Sequence, residues 1–571
     1  MKKILGIIVL SIVVSLINAG GYGNNENNNK ENNTANNLLF DYTNEIAEYD
    51  AKNSNYTTPN SADIGVKVQD ENGATGVVLV ASHDETNTTD YYLNALVAGN
   101  RLKFIGKNIT SATSQIGNET KVDLAVSGCT FSLVPEMIDS DTPIDQVIEV
   151  TMADGTVYNV HTVNEMFPDF EVTYGSTPAA SGVYTCILDQ FMFRISTDGE
   201  IVYYRNMQYI GHNMSGNFKA QDTKDGRFYT FNLELNSEMG HKLGSFCSGM
   251  FVIMNENYVE INYATLLSSS NHGEGYLDEH EFQLLGANHW ISLSYVPLLA
   301  ENLNGNGIDG GNTAYVQAGI IQEVSNGKVV SEFNSIDHPE LYANSLESNA
   351  YSDSTNETPD TYQDYVHINS VSIDPKDDNL LVSMRNQYAV FKIDRYTSEI
   401  LWTLGGTGND FTGLDNYLDS DCNLFIGQHH ISAVDSAITG NENTISVFDN
   451  HTNTEVNLSR TCMFTLDEEN MTANVEVIDG SDMDKLTGKN HWTNYCGSVE
   501  YQSKTSVVTG WGMNFLLDAD PSTNGMITHP QVSDYNPVAD TITFELCASR
   551  SIYSPANEPL FFSYRIYKNV D

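Results

Sequence analysis

The chain has 571 residues, too many for one ordinary hydrophobic core, so two domains are the natural expectation. Its 75 acidic against 27 basic residues give a net charge of −48, which excludes nucleic acid as a partner, because phosphate binding needs clustered Lys and Arg. The same excess requires that any anionic substrate be held by a local cationic cluster working against the overall field.

The first 19 residues read as an export signal. Lys2 and Lys3 precede an apolar run from Ile4 to Ile17, and Asn18-Ala19 before Gly20-Gly21 offers a small-residue cleavage site. That run is short for a membrane span, which needs about 20 residues. No later segment replaces it, and with Cys129 as the first cysteine a lipid anchor at the signal is not expected. An exported protein, periplasmic or extracellular and without a membrane span, follows. Residues 20–37 (GGYGNNENNNKENNTANN) have almost nothing to bury and read as a flexible Asn-rich linker.

Residues 38–174 alternate in the manner of half-buried strands, and VIEVTMADGTVYNV forms a hairpin with Asp154-Gly155 as its turn. A small N-terminal β-sandwich is expected there. From residue 175 to 571 a two-part repeat appears. One part is strand, turn, strand: FRISTDGEIVYY (193–204), IIQEVSNGKVVSEF (320–333) and VFKIDRYTSEILWTL (390–404). The other is a second kind of hairpin: HEFQLLGANHWISLSY (280–295), HINSVSIDPKDDNLLVSM (367–384) and HHISAVDSAITGNENTISVF (429–448). Two hairpins per unit of roughly 40 residues make a propeller blade. The expected fold is all-β, a six-bladed β-propeller preceded by the N-terminal β-sandwich.

Three of these second hairpins open with histidine: His280, His367 and His429. Inner strands of a propeller line its channel, so residues in the same slot of different blades converge. Asn369, two residues after His367, shares its face on an extended strand. Leu380, Val382 and Met384 form one apolar face of the next strand, with Arg385 on the other. Together these residues suggest an oxyanion clamp. Of the pair His429-His430 only one can face the channel; the shared slot selects His429 and leaves His430 to packing. A channel-facing imidazole serves as general base, metal ligand or covalent nucleophile, and the residues alone leave all three open, with metal ranked second. His212, His241, His272, His289, His451 and His491 have no evident companions. The seven cysteines show no CxxC pairs, and their odd number leaves at least one thiol free. No glycine-rich phosphate loop, GxSxG or zincin motif occurs, nor a site for a nucleotide donor.

The segment HINSVSIDPKDDNLLVSMRNQYAVFKIDRYTSEILWTLGG resembles the bacterial aryl-sulfate sulfotransferases, whose pattern runs H-x-N-S, D-P-x-D-D, S-x-R-x-Q and W-x-L-G-G. GQHH (427–430), SVFDN (446–450), Ser459-Arg460 and LDEENMTA (466–473) match in order, and DEHEFQLL (278–285) is similar to an earlier H-D-F motif. The resemblance spans about residues 175–515. It implies a six-bladed propeller that transfers a sulfuryl group from a phenolic sulfate ester to another phenol, without a nucleotide donor. It further implies His429 as the nucleophile, passing through a sulfohistidine, with Arg385, His367, Asn369 and His280 binding sulfuryl oxygens and assisting the phenol oxygens. The chain departs from the pattern at Glu281, where Asp is usual, and at Cys496-Gly497-Ser498, which leaves Ser498 as the stand-in for a family threonine. A cysteine pair found before the nucleophile in some members is reduced to Cys422. No cofactor is expected, and the partners are an aryl sulfate donor and a phenolic acceptor, with a homodimer left open. Two alternatives compete: a non-catalytic propeller that binds sulfated ligands, and a metal-dependent hydrolase built on the three histidines.

Overall fold

The computed structural model describes residues 66–69, 79–81, 88–136, 138–139, 145–163, 167, 170–176, 179–188, 191–207, 214–234, 248–301, 313–347, 362–451, 459–512, 530–548 and 563–570. The expected export signal and the expected Asn-rich linker lie outside them.

Six sheets follow one another along the chain as blades of a propeller. Blade 1 contains Val183–Leu188, Phe191–Ser196 and Glu200–Asn206. Blade 2 contains Met214–Thr223, Gly226–Glu234, Ser248–Met254 and Glu260–Ala264. Blade 3 is built from Phe282–Gly286, His289–Glu301, Thr313–Ser325 and Lys328–Asn334. Blade 4 is built from Ile368–Ile373, Leu380–Met384, Ala389–Ile393 and Ile400–Gly405. Blade 5 comprises His430–Ala433, Thr444–Asp449, Arg460–Asp467 and Thr472–Asp479. Blade 6 comprises Ser498–Ser503, Ser506–Gly510, Val532–Asn536 and Thr541–Ala548.

The ring is closed by the end of the chain. Tyr567–Asn569 pairs antiparallel with Val183–Thr185 and becomes the innermost strand of blade 1. Outer edges are covered as well. Phe170–Tyr174 adds to blade 6 beyond Thr541–Ala548, and Ala95–Val97 and Ile138–Asp139 both pair with Glu200–Asn206 of blade 1. Such additions remove exposed strand edges, which would otherwise template aggregation.

Burial explains why the strands read differently in the sequence. Gln146–Met152, in the N-terminal part, alternates buried and half-buried residues, whereas every residue of Leu380–Met384 and Ala389–Ile393 is buried. A middle strand of a blade has another blade against each face, so its apolar run is continuous. The N-terminal part forms a six-stranded and a three-stranded sheet. Its predicted hairpin is present, Gln146–Met152 against Val157–His161, with Gly155 at φ +87 in the turn. One apolar core runs from this part into blade 1, joining Leu93, Phe104 and Ile148 to Phe191, Phe193 and Tyr204.

Neighbouring blades are joined by ion pairs at the end of the ring away from the histidines. Arg395 of blade 4 grips Glu323 of blade 3 through two bonds of 2.8 Å. Lys392 of blade 4 holds Asp374 at 2.7 Å and reaches Glu468 of blade 5 at 2.9 Å. Among the described cysteines, Cys129, Cys186, Cys422, Cys462 and Cys547 are free thiols. Cys247 lies outside the described residues.

Candidate active site

The three histidines occupy the turns that lead into the innermost strands of blades 3, 4 and 5. His280 stands two residues before Phe282–Gly286, and His367 and His429 each stand one residue before their strands. They converge at one end of the channel. The rings of His280 and His367 meet edge to face with centroids 4.9 Å apart. Tyr564 packs between blades, its ring 5.0 Å from His280 and 6.1 Å from His429. All three histidines are buried.

Their Nδ1 atoms have different partners. Nδ1 of His280 is bonded to Asp278 Oδ1, and Nδ1 of His367 lies 2.6 Å from Asp364 Oδ2. Nδ1 of His429 instead faces two neutral oxygens, Gly427 O at 2.8 Å and Asn450 Oδ1 at 2.6 Å. Two acceptors at Nδ1 require the proton there, so Nε2 of a neutral His429 carries a lone pair. Charge follows the same division. Burial would lower the pKa of His280, but the Asp278 carboxylate outweighs it and holds the ring above its ordinary value. Burial drives His429 well below the ordinary value, and the positive charges of Arg385, His367 and His280 add to the effect. His430 points elsewhere: its Nδ1 accepts Val499 N–H at 3.3 Å, and burial together with Arg565 pushes it down to about 3.

The clamp residues sit differently from the sequence expectation. His367 is not extended but left-handed at φ +46, and the ladder slips between Ile368 and Ser370, so the shared-face argument for His367 and Asn369 does not apply. Asn369 is fully buried and its Nδ2 donates to Gln428 O at 2.7 Å, which fixes the peptide just before the nucleophile candidate. Arg385 leaves the strand at its end and opens the short 3-10 turn Arg385–Gln387. Its backbone N–H donates to His367 O at 2.9 Å, and its Nη1 bonds Glu347 Oε2 at 2.7 Å and Asn386 Oδ1 at 2.8 Å. The guanidinium is therefore held by a carboxylate while its charge acts on His429. Ser498 is a correction. Its hydroxyl donates to Ile566 O at 3.0 Å and accepts Ile566 N–H at 3.2 Å, so it pins the closing segment to blade 6 rather than facing the histidines. Among the described residues, no group of three or more His, Cys, Asp or Glu side chains is arranged to hold a metal ion.

The profile of the family described as Arylsulfotransferase (ASST) matches residues 183–554, which is most of the chain. The chain belongs to the arylsulfotransferase family. None of the curated proteins matches it in sequence. Among solved structures, an auxiliary nutrient binding protein from Bacteroides ovatus ATCC 8483 is similar at 8% identity and TM-score 0.25, over 81% of this chain and 83% of that one. A streptogramin B lyase is similar at 12% identity and TM-score 0.26, over 78% of this chain and 100% of that one. The dihydro-heme d1 dehydrogenase NirN in complex with DHE is similar at 10% identity and TM-score 0.28, over 72% of this chain and 73% of that one. Likeness at this level carries no argument, and the propeller is read from the blade order itself.

In this member of the family several residues around the three histidines carry little evident signal in the sequence. Asp278 and Asp364, two and three residues ahead of their histidines, back the imidazoles, and the spacings D-x-H and D-x-x-H are the signals that point to them. Asn450 closes the quoted SVFDN stretch. Tyr564 and Arg565 had no signal at all, because only ring closure brings the end of the chain to blades 3, 4 and 5. Arg565 is fully buried. It pairs with Glu281, while its Nη2 donates to Asn369 O and, at 2.9 Å, to His429 O. One guanidinium thus ties together the three segments that carry the histidines. Glu281, the departure from the family aspartate, is its counter-ion and also bonds Lys219 at 3.1 Å.

Proposed function

We propose that this protein moves a sulfuryl group from a phenolic sulfate ester to another phenol by a ping-pong route through a sulfohistidine at His429, without a nucleotide donor. The observation that carries the reading is the state of His429, a buried neutral imidazole with its proton held on Nδ1 and its Nε2 lone pair free for attack. Nε2 attacks sulfur as the bond from sulfur to the aryl oxygen breaks. The electron pair leaves with that oxygen, which takes a proton from His280, the imidazole kept charged by Asp278. An incoming phenol then gives up its proton to His280, neutral after the first transfer, and attacks sulfur, and the pair in the S–N bond returns to Nε2. His367 and Arg385 supply positive charge for the sulfuryl oxygens. Sulfuryl transfer, like phosphoryl transfer, places charge on non-reacting oxygens, so fixed cations and positioning carry most of the catalysis. Burial strengthens each of these interactions.

The reading also takes residues 38–174 as an N-terminal β-sandwich domain, residues 175–571 as the catalytic propeller and the mature protein as exported. Its test is release of nitrophenol from nitrophenyl sulfate that depends on an added phenol. In the absence of acceptor, mass analysis without acid treatment should find one sulfuryl group on the peptide that contains His429. Full turnover by His429→Ala would refute the nucleophile, and nitrophenol release that ignores the acceptor would point to a sulfatase.

A further inference from the structure

Asn450 follows the strand Thr444–Asp449 and stands directly against His429. Its amide cannot turn over. Nδ2 donates to Thr493 O at 3.1 Å and to Cys496 O at 2.8 Å, so only Oδ1 is left to face the ring. Thr493 is held in turn, its N–H bonded to Ser459 Oγ at 2.9 Å. The loop ahead of blade 6 therefore sets which Asn450 atom the imidazole meets. His280 and His367 have carboxylates at the equivalent nitrogen. His429 has an amide.

We infer that Asn450 is a positioning residue for the reaction proposed above, one whose neutral oxygen, together with Gly427 O, fixes the His429 proton on Nδ1 and withholds the negative charge given to the other two imidazoles. The inference rests on the sulfohistidine reading. When Nε2 bonds sulfur and the aryl oxygen departs with its electron pair, the ring keeps its Nδ1 proton and becomes cationic. A carboxylate at Nδ1 would stabilise that cation and turn the intermediate into a sink. An amide oxygen orients the ring with less stabilisation of its charge, so the S–N bond stays reactive toward the entering phenol. The surroundings act in the same direction. The charges that act on His429 are those of Arg385, His367 and His280. Arg565 donates to its carbonyl, and the neutral Tyr564 ring packs beside it. The nearby Asp449 carboxylate is engaged by Arg460 at 2.9 Å and His451 at 3.2 Å.

The test compares wild type with Asn450→Ala and Asn450→Asp, using nitrogen NMR of the histidines, trapping of the adduct from nitrophenyl sulfate, and a phenol chase of preformed adduct. Loss of the Asn450 acceptor leaves Gly427 O, at 2.8 Å, alone at Nδ1, so the Ala variant should admit a measurable share of the other His429 tautomer and slow turnover about tenfold, while thermal melting shows a retained fold. In the Asp variant the adduct should accumulate, the chase should slow by about ten- to a hundredfold, and the acid limb of the rate profile should move to higher pH. An unchanged tautomer in the Ala variant, or a chase at wild-type rate in the Asp variant, overturns the inference. Asn450→Asp places an oxygen against Thr493 O and Cys496 O; if it does not fold, the tautomer in the Ala variant decides alone. Absence of any adduct in wild type is a failure of the sulfohistidine reading, and the NMR comparison still judges whether Asn450 sets the proton.

Discussion

Asp278→Asn should make the rate depend steeply on the leaving phenol. The substitution keeps the shape of the side chain and removes its charge. In the wild type that carboxylate outweighs burial and holds the His280 pKa above its ordinary value; with an amide in its place, burial should prevail and the pKa should fall. His429, buried against an amide, is the precedent within the same site. The bond lost is charge-assisted, worth about 1.5–3 kcal/mol, and about 1.4 kcal/mol is tenfold in rate. A loss of about ten- to a hundredfold is therefore expected for a phenol that must be protonated as it leaves, near the lower end of general acid catalysis. Nitrophenol leaves as the anion and should be affected least. The assay is kcat/KM across pH for nitrophenyl sulfate and for phenyl sulfate. A raised pKa lets His280 keep its proton to higher pH than an ordinary imidazole and lose it only as pH climbs past that point, so the variant's basic limb should move to lower pH. An equal loss for both donors with the basic limb unmoved would leave Asp278 a purely structural role and refute the argument.

His429→Ala should abolish both the trapped adduct and transfer, with a drop of about a thousandfold or more in turnover. Burial would raise the Glu281 carboxyl, but Lys219 and Arg565 bring it down to about 2, so it adds stability above the ordinary value of 4.5 that is lost as pH falls toward 2. Glu281→Gln leaves the buried Arg565 and the half-buried Lys219 without that partner and should cost about 3–5 kcal/mol in urea unfolding. The variant should also lack this acid-dependent component, and a slope like that of the wild type between those pH values would contradict the pairing. Lys392, which holds Asp374 at 2.7 Å, Asp377 at 2.7 Å and Glu468 at 2.9 Å, should behave likewise. Lys392→Met leaves clustered carboxylates, a cost of about 3–5 kcal/mol that mild acid should reduce. Gly497→Ala places a Cβ 2.3 Å from the Phe448 ring at φ +108, and a thermal melt should register a loss of at least about 1–3 kcal/mol.

The blades were legible because their outer hairpins alternate and their middle strands run apolar, both direct consequences of what lies on each face. The slot shared by His280, His367 and His429 was legible for the same reason: a repeat puts equivalent residues at equivalent heights. Finer geometry was not. Face assignment from strand alternation failed for His367, which is left-handed at φ +46, and for Arg385, which belongs to a 3-10 turn. Ser498 looked like a hydroxyl at the start of an inner strand, yet the nearest backbone to bond was that of Ile566, from the far end of the chain. The same closure delivers Tyr564 and Arg565, and no local pattern announces a strand whose partner lies in blade 1.

Position and role thus have separate origins in this site. Blade repetition brings three imidazoles to one end of the channel in nearly the same way, which by itself would make them interchangeable. They are distinguished by what the connecting segments place at Nδ1: a carboxylate two residues upstream for His280, a carboxylate three residues upstream for His367, and for His429 an amide from the far end of the neighbouring strand. The proposed transfer needs charged donors and a neutral nucleophile at the same pH within a few ångströms, and identical imidazoles cannot satisfy both needs in identical surroundings. The non-repeating partners separate them. A single substitution at Asp278 or Asn450 should therefore exchange chemical character while leaving the propeller intact, which a site defined by its three histidines alone would not allow.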